Sequence, residues 1–229
     1  MHGMWISQLW RYPVKSMAGE RLEHAQLGLD GIPGDRLLYV VDGREQILSA
    51  RTKPRLLGHH ATVAPDGEVL VDGLPWRSPE VASAVAAAAG EGARLVEAAG
   101  NERFDILPLL VATDGAIEAF GHDARRLRPN IVVAGVEGLT EREWQWRLLS
   151  AGDAVIALAD LRQRCVMTTW DPDTLEQDVD VFRHIRARFG GTIALNAWAG
   201  REGLVTVGDE VRVLDRQIDM ALPEPGRFA

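Results

Sequence analysis

Short apolar runs separated by Gly, Pro and Asp are the feature that most constrains the fold of this chain. Residues 5–12 predict a first strand, and three later pairs of runs predict β-hairpins, with turns at Asp42-Gly43, Pro65-Asp66-Gly67 and Gly208-Asp209. Gly accepts a positive φ and Pro presets a turn, so each break has a physical reason. Many short strands leave unpaired edges unless the sheet closes, so the pattern favours a barrel.

Only a few segments predict helices. Ser78 is suited to be an N-cap, with Pro79 at the first helical position and Gly90 as the stop. Residues 113–120 predict a short helix, and Thr140 with Glu143 matches a capping box before a brief one that carries Trp144 and Trp146. The strongest helical period runs over residues 175–189, with Asp173 or Thr174 as N-cap. Its apolar stripe comprises Leu175, Val179, Phe182, Ile185 and Phe189.

These patterns predict an α+β protein that is predominantly β: a β-barrel with helical insertions and a smaller N-terminal β-rich subdomain. A Gly-rich break near residues 90–100 places the domain boundary between residues 1–95 and 96–229. The 229 residues are enough for a substantial core in each part.

Composition excludes several classes of protein. The net charge of −8 is a poor basis for general nucleic-acid binding, which needs a basic surface. The single cysteine rules out an intramolecular disulfide and a multi-cysteine metal site. We expect no membrane span, because no apolar stretch is long enough, and no signal peptide at the N-terminus, which favours a cytoplasmic protein. Nucleotide-binding and hydrolase motifs such as the P-loop are absent from the sequence.

Cys165 is the first candidate for chemistry. It follows a predicted strand and has Arg162 and Arg164 beside it. One interpretation is a buried thiol that acts as a small apolar side chain. The other is a thiolate, whose formation nearby cations favour, acting as a nucleophile or as the ligand of a soft metal. A single thiolate cannot hold a metal alone, so a metal here would need further sulfur ligands from a cofactor.

A set of cations near Gly, Pro or Ser is the second candidate, comprising Lys15, Arg36, Arg125, Arg126, Arg128 and Arg164. Together with Ser16 and main-chain N–H groups, such residues can clamp a phosphate. For any one of them, ordinary surface charge is the simpler interpretation. His59-His60 is more simply explained as part of a strand than as a metal site. Asp173 or Thr174 suits the N-cap of the next helix, and Asp171 could organise the loop that carries Cys165.

Several segments in order resemble a known family. Tyr12-Pro13-Val14-Lys15-Ser16 and Gly34-Asp35-Arg36 resemble the N-terminal β-barrel that precedes MOSC domains. The MOSC domain itself is resembled by Arg128-Pro129-Asn130-Ile131, Gly152-Asp153, the segments 164–169 and 171–174, and Val207-Gly208-Asp209. This family includes the C-terminal domain of molybdenum cofactor sulfurases and the amidoxime-reducing proteins.

The resemblance implies a molybdenum cofactor, Mo-molybdopterin, whose metal takes Cys165 as a ligand. It assigns the pterin phosphate to Lys15, Ser16 and Arg36, and places Arg128, Asn130 and Arg164 near the cofactor. It places Asp105, in a D-x-x-P segment, close to the metal, where it could relay a proton. It also places the hydroxyl of Thr113 at the cofactor site.

Two functions from different classes follow. The first is an oxidoreductase that reduces small N-hydroxylated compounds such as amidoximes and hydroxylamines. It would take electrons from an external flavoprotein, ferredoxin or cytochrome, because the chain has no flavin, haem or iron–sulfur motif of its own. The second is a non-catalytic carrier of the cofactor, or of sulfur as a Cys165 persulfide. A third hypothesis is a barrel of this family that binds no cofactor. The complete series of motifs argues against it.

Overall fold

The computed structural model describes residues 3–100 and 103–217, which form sixteen strands and three α-helices. The strands are β1 Met4–Arg11, β2 Glu20–Leu22, β3 His24–Leu27, β4 Leu38–Val41, β5 Ile47–Leu48, β6 Ala61–Val63, β7 Val69–Val71, β8 Leu74–Pro75, β9 Arg94–Glu97, β10 Leu109–Thr113, β11 Ile131–Ala134, β12 Arg147–Ala151, β13 Ala154–Gln163, β14 Thr192–Arg201, β15 Gly203–Thr206 and β16 Glu210–Gln217. The helices are α1 Pro79–Ala89, α2 Asp114–Phe120 and α3 Val179–Phe189.

Seven strands close into a barrel in the order β1-β11-β10-β14-β13-β12-β16, and β16 pairs back with β1. All neighbours are antiparallel except β10 and β11, whose parallel pairing needs the crossover that α2 provides. Inward-facing apolar side chains fill the interior, among them Ile6, Leu149 and Leu195, which are fully buried. The predicted β-rich barrel with helical insertions is therefore confirmed.

A smaller β-rich part lies between β3 and β10. In it β4 pairs with β5 and β9, while β6, β7 and β8 form a second small sheet. Helix α1 packs Val81 and Val85 into a separate apolar cluster with Leu56 and Val71. The first strand of the chain nevertheless belongs to the barrel. The boundary at residue 95 stays a prediction.

Two predicted hairpins and one predicted helix, whose contacts join residues close in sequence, are confirmed. The hairpins β4–β5 and β6–β7 form as predicted. Helix α1 begins at Pro79, and the Ser78 hydroxyl accepts the Val81 N–H at 3.3 Å, with Gly90 ending the helix. No helix in the described parts of the chain is long and apolar enough to cross a membrane.

The predicted hairpin around Gly208-Asp209 is wrong. Strand β15 pairs with β3, whereas β16 pairs with β12 and β1. The alternating valines do form strands, but each has a partner far away in sequence. Asp209 stabilises the sharp connection, because its carboxylate accepts the Thr206 N–H at 2.8 Å.

The helix predicted over residues 175–189 is shorter than expected. It begins at Val179, with Asp178 rather than Asp173 or Thr174 as N-cap. Leu175 is in the left-handed region with φ of 57° and cannot belong to the helix. The buried stripe is Val181, Ile185 and Phe189, and Val179 is exposed.

The capping box at Thr140 is also wrong. This segment forms a 3-10 turn over Thr140–Trp144, and the Thr140 hydroxyl donates to the Glu137 carbonyl at 2.6 Å. Trp146 lies beyond the turn with φ of 65°. The hydroxyl therefore stabilises the preceding loop instead of a helix N-terminus.

Candidate functional site

A cleft of about 230 Å³ lies where loops at the ends of the barrel strands meet the N-terminal β-rich part. Eight of the nine residues predicted from sequence line it: Lys15, Ser16, Arg36, Asp105, Arg128, Asn130, Arg164 and Cys165. They come from the loop after β1, the segments before β4, β10 and β11, and the end of β13. Thr113, the ninth, does not line the cleft.

The cleft is strongly cationic. Among the described residues that line it, eight are basic and one is acidic, so its formal charge is 8 − 1 = +7. The basic residues are Lys15, Arg36, Arg51, Arg103, Arg126, Arg128, Arg162 and Arg164. The whole chain carries −8, so this concentration of positive charge is local. Such a surface suits a ligand that carries several negative charges.

Three residues of the cleft have strained backbones. Ser16, Arg36 and Arg128 have φ values of 73°, 51° and 56°, which non-glycine residues rarely adopt. Backbone strain of this kind is stored mostly where surrounding contacts fix a functional loop. The strain therefore marks the loops that present these three side chains to the cleft.

Hydrogen bonds hold the Lys15-Ser16 loop in place. The Lys15 N–H donates to the Leu38 carbonyl at 2.8 Å, which ties the loop to β4. The Ser16 hydroxyl is buried and accepts the Ala50 N–H at 3.0 Å. Its own proton remains available to a ligand in the cleft.

Tyr12 is the packing centre for two of the arginines. The guanidinium of Arg128 lies 4.2 Å and that of Arg36 5.3 Å from the centre of its ring, both suited to cation–π contact. Arg36 also pairs with the buried carboxylate of Asp35, which accepts the Tyr12 N–H at 2.7 Å. These contacts fix the position of both cations.

Asp105 is held by three cations. Its carboxylate lies 3.0 Å from Lys15 Nζ, 3.0 Å from Arg51 Nη2 and 3.2 Å from Arg162 Nη2. Burial alone would raise its pKa, but the three positive charges outweigh burial and lower the pKa to about 2. Arg51 was missed by sequence reasoning, because it lies in an exposed loop with no motif around it.

Cys165 lies at the cleft with a partly exposed thiol. Its carbonyl accepts the N–H of Thr168 at 3.1 Å and the hydroxyl of Thr168 at 2.9 Å, which starts a 3-10 turn over Val166–Thr169. The main chain thus holds the loop and leaves the sulfur free for other contacts. Arg51, Arg162 and Arg164 line the cleft together with this side chain.

Two buried guanidinium groups each have one nitrogen without an acceptor, although Arg128 Nη1 donates to the Met17 carbonyl and Arg164 Nη2 to the Leu127 carbonyl. Arg128 Nη2 and Arg164 Nε are shielded from solvent and have no hydrogen-bond partner among the described residues. Burial lowers the pKa of each side chain to about 10, so both remain charged at neutral pH. A buried charged donor without an acceptor is costly, and an anion in the cleft would remove that cost.

Asn130 and Thr113 have structural contacts of their own. The buried Asn130 amide accepts the Leu110 N–H at 3.1 Å and donates to the Trp10 carbonyl at 3.3 Å, joining three barrel strands. The Thr113 hydroxyl caps α2 by accepting the Ala116 N–H at 3.2 Å. The position of Thr113 gives no support to a role at the cofactor, whereas Asn130 lines the cleft.

The remaining sequence candidates have separate places. Arg125 forms ion pairs with Asp123 and Asp173 outside the cleft. Arg126 lines the cleft and pairs with Asp171 at 2.9 Å, so Asp171 does help to organise the loop that carries Cys165.

The His59-His60 pair contacts other protein groups. His59 contacts Asp72 and His60 contacts the Gly19 carbonyl. The described residues contain no cluster of metal-binding side chains.

Comparison with known proteins identifies the family. Residues 3–105 match the MOSC N-terminal beta barrel domain, and residues 111–212 match the MOSC domain. The chain therefore belongs to the MOSC-domain proteins.

Among curated proteins it is similar to mitochondrial amidoxime reducing component 2 of Macaca fascicularis, with 26% identity over 74% of this chain and 67% of that protein. It is 24% identical to mitochondrial amidoxime-reducing component 1 of Homo sapiens over the same shares.

Solved structures resemble the chain more weakly. The YUAD protein from Bacillus subtilis superposes with a TM-score of 0.45 and 12% identity, covering 91% of this chain and 94% of that one. YiiM from Geobacillus stearothermophilus has a TM-score of 0.34 and 15% identity over 49% of this chain and 56% of its own.

Proposed function

We propose that this protein binds the molybdenum cofactor and reduces N-hydroxylated compounds with electrons from an external donor. The observation that carries the proposal is the cleft with eight cations, one carboxylate and Cys165. Relatives whose names state amidoxime reduction support the choice of reaction. The two unpartnered buried donors, Arg128 Nη2 and Arg164 Nε, support the proposal, because a large anionic group would supply their missing acceptors.

The side chains divide the work of holding that group. Lys15, Ser16 and Arg36 would hold its phosphate, since they combine two cations with a free hydroxyl proton on a fixed loop. Arg128 and Arg164 would donate to its other acceptors. Cys165 would bind the metal through its sulfur, which is a soft ligand. The 3-10 turn that begins at Cys165 fixes the main chain at this position.

When bound, the molybdenum cofactor supplies the two-electron redox chemistry that no side chain of the protein offers. Reduction of an N–OH group consumes two electrons and two protons, breaks the N–O bond and releases water. Protons must therefore reach the cleft.

Asp105 carries no proton at neutral pH while its pKa is about 2, so in this state it positions Lys15, Arg51 and Arg162. Proton relay by Asp105 requires a bound anion to neutralise those cations and raise its pKa.

An external electron donor is part of the proposal. The sequence contains no motif for a flavin, a haem or an iron–sulfur cluster that could supply electrons from within this chain. The donor would be a flavoprotein, a ferredoxin or a cytochrome, and the substrate a small N-hydroxylated molecule.

Molybdenum analysis with pterin detection tests the proposal directly. The protein is made in a host that assembles the cofactor and in one that cannot. We expect near-stoichiometric molybdenum only from the first host, and reduction of benzamidoxime by that sample with an artificial electron donor. Folded protein without molybdenum from both hosts would contradict the proposal.

A sulfur carrier is the second candidate, favoured by the partly exposed thiol of Cys165 beside Arg51. In that case sulfur-donating conditions would add one sulfur atom to the intact mass, and Cys165→Ala would abolish the addition. A cofactor-free, persulfide-forming protein would support the carrier over the reductase.

A further inference from the structure

A second cavity adjoins the cationic cleft and has a different character. It measures about 370 Å³ and shares Arg126, Arg128 and Met167 with the cleft as a common wall. Its other walls include Trp10, Tyr12, Leu57 and Trp170, and we call this cavity the aromatic pocket. Cavities with mostly apolar walls and a few polar groups are typical small-molecule sites.

One loop connects the two cavities. The 3-10 turn over Val166–Thr169 begins at Cys165 in the cleft. The same loop presents Met167 to both cavities and Trp170 to the aromatic pocket. A ligand that occupied the aromatic pocket would therefore lie against the loop that positions the thiol.

The rings of the pocket are already arranged. Trp10 and Tyr12 stack with their centres 6.4 Å apart and their planes 14° from parallel. Arg21 lies over the Trp10 ring, 5.8 Å from its centre. Arg36 and Arg128 already cover the Tyr12 ring, so the indoles of Trp10 and Trp170 provide the aromatic surface of the pocket. Such surfaces favour a flat, apolar occupant over a flexible polar one.

One donor in the walls has no acceptor. Trp170 Nε1 is shielded from solvent and unpartnered among the described residues. The indole of Trp10, which also lines the pocket, donates to Gln8 at 2.8 Å. An occupant with an acceptor oxygen or nitrogen would satisfy the Trp170 donor.

Charge narrows the ligand class further. Four arginines line the pocket, but Arg125 and Arg126 are paired with nearby aspartates. The positive charges of Arg21 and Arg128 remain, and they disfavour a cationic ring. Amidoximes are weak bases and are neutral at physiological pH, whereas the amidines formed by their reduction are strong bases and carry a positive charge. The pocket would therefore accept such a substrate and favour release of its product.

We propose that the aromatic pocket is the subsite for the ring of a neutral aromatic substrate whose acceptor atom faces Trp170. This inference rests on the proposed reductase function. It predicts that aromatic N-hydroxylated compounds are better substrates than aliphatic ones of the same head group.

Benzamide, which has a ring and an acceptor oxygen but cannot be reduced, is the probe. Indole N–H signals of ¹⁵N-labelled protein are followed by NMR, and Trp170→Phe identifies the Trp170 signal among those of the seven tryptophans. We expect benzamide to shift the Trp170 signal and acetamide, which has no ring, to leave it unchanged at the same concentration. Trp170→Phe keeps the ring, and affinity read from the Trp10 signal should fall about fivefold.

Two further variants complete the design. Leu57→Trp fills the pocket from a residue that does not line the cleft, and it should abolish benzamide shifts and raise KM for aromatic substrates more than for aliphatic ones. Trp76→Phe, which lines neither cavity, should behave like the parent protein. If Leu57→Trp does not fold, Trp170→Phe alone decides the result.

Molybdenum and pterin are measured on the same samples. A loss of pterin in Leu57→Trp would show that the cofactor fills this pocket and would overturn the proposal. Suppose that the protein contains molybdenum and is active, but its indole N–H signals do not shift with benzamide or shift equally with acetamide. This result would refute the aromatic subsite and leave the reductase function standing. Benzamide binding by protein that never takes up molybdenum would refute the reductase function and the substrate assignment with it.

Discussion

Asp105→Asn removes the only carboxylate among the described residues that line the cleft. The change is nearly isosteric, so the main effect is loss of a negative charge near Lys15, Arg51 and Arg162. The pKa of this carboxyl is about 2 in the folded protein against an ordinary value of 3.8. That difference corresponds to about 2 kcal/mol of folding free energy at neutral pH.

The pH dependence follows from the lowered pKa. The contribution is fully present above pH 3.8, where the unfolded carboxyl is also ionised, and it is lost as pH falls through about 2. At pH 3 roughly half of it remains, or about 1 kcal/mol. Asp105→Asn should therefore be less stable than the parent protein at pH 7, and the difference should shrink at pH 3.

Urea unfolding of the cofactor-free protein at both pH values measures this effect, since urea does not screen charges. Asp66→Asn is the matched control, because Asp66 lies in an exposed turn and Asn keeps its bond to the Glu68 N–H. An equal loss of stability at pH 7 and pH 3 would refute the electrostatic account. So would a carboxyl ¹³C titration of Asp105 with an ordinary midpoint.

Three other changes test separate contacts. Cys165→Ala should leave urea stability nearly unchanged, because only the Cys165 carbonyl holds the turn, but it should lower molybdenum content by elemental analysis; unchanged content would exclude a ligand role. Lys15→Ala should weaken pterin retention about tenfold through loss of a charge-assisted contact, with the exposed, distant Arg77→Ala as control, and equal pterin in both would exclude the phosphate clamp. Glu141→Gln should raise Tm at pH 7, because it removes a buried carboxyl whose pKa is raised by burial. The gain in Tm should disappear below about pH 4.5, where the carboxyl is protonated in the unfolded chain as well. A difference in Tm that does not change with pH would contradict this reasoning.

The fold could be predicted where sequence neighbours make the contacts. Helix α1 follows from Ser78, Pro79 and Gly90, and the hairpin β4–β5 from the turn at Asp42-Gly43. The last hairpin was mispredicted because alternation shows which residues form strands, while the partner strand depends on the closure of the barrel. Strand β9 was missed, since its pairing with β4 joins residues more than 50 positions apart.

Helix α3 shows how a local pattern can extend too far. Leu175 fits the three-and-four spacing, yet its backbone is left-handed and it closes a turn around Asp171. The Asp171 carboxylate accepts the N–H groups of Asp173 and Thr174, and it also pairs with Arg126 at the cleft. The turn around Asp171, which places its carboxylate beside Arg126, is incompatible with a helical backbone in this segment. The helix therefore begins only at Val179.

The charge of the cleft could not be inferred from composition, because net charge averages over surfaces that never meet. Most acidic residues of the described chain are at least partly exposed, while basic residues from six separate segments converge on one cavity. Motifs revealed Lys15, Arg36, Arg128 and Arg164, whereas Arg51 emerged only from its distance to Asp105. The basic side chains of the cleft repel one another, and only Asp105 among the described lining residues offsets this repulsion. A ligand with several negative charges would reduce the repulsion further. Cofactor binding should therefore stabilise the protein most at low ionic strength, where repulsion among these cations is screened least.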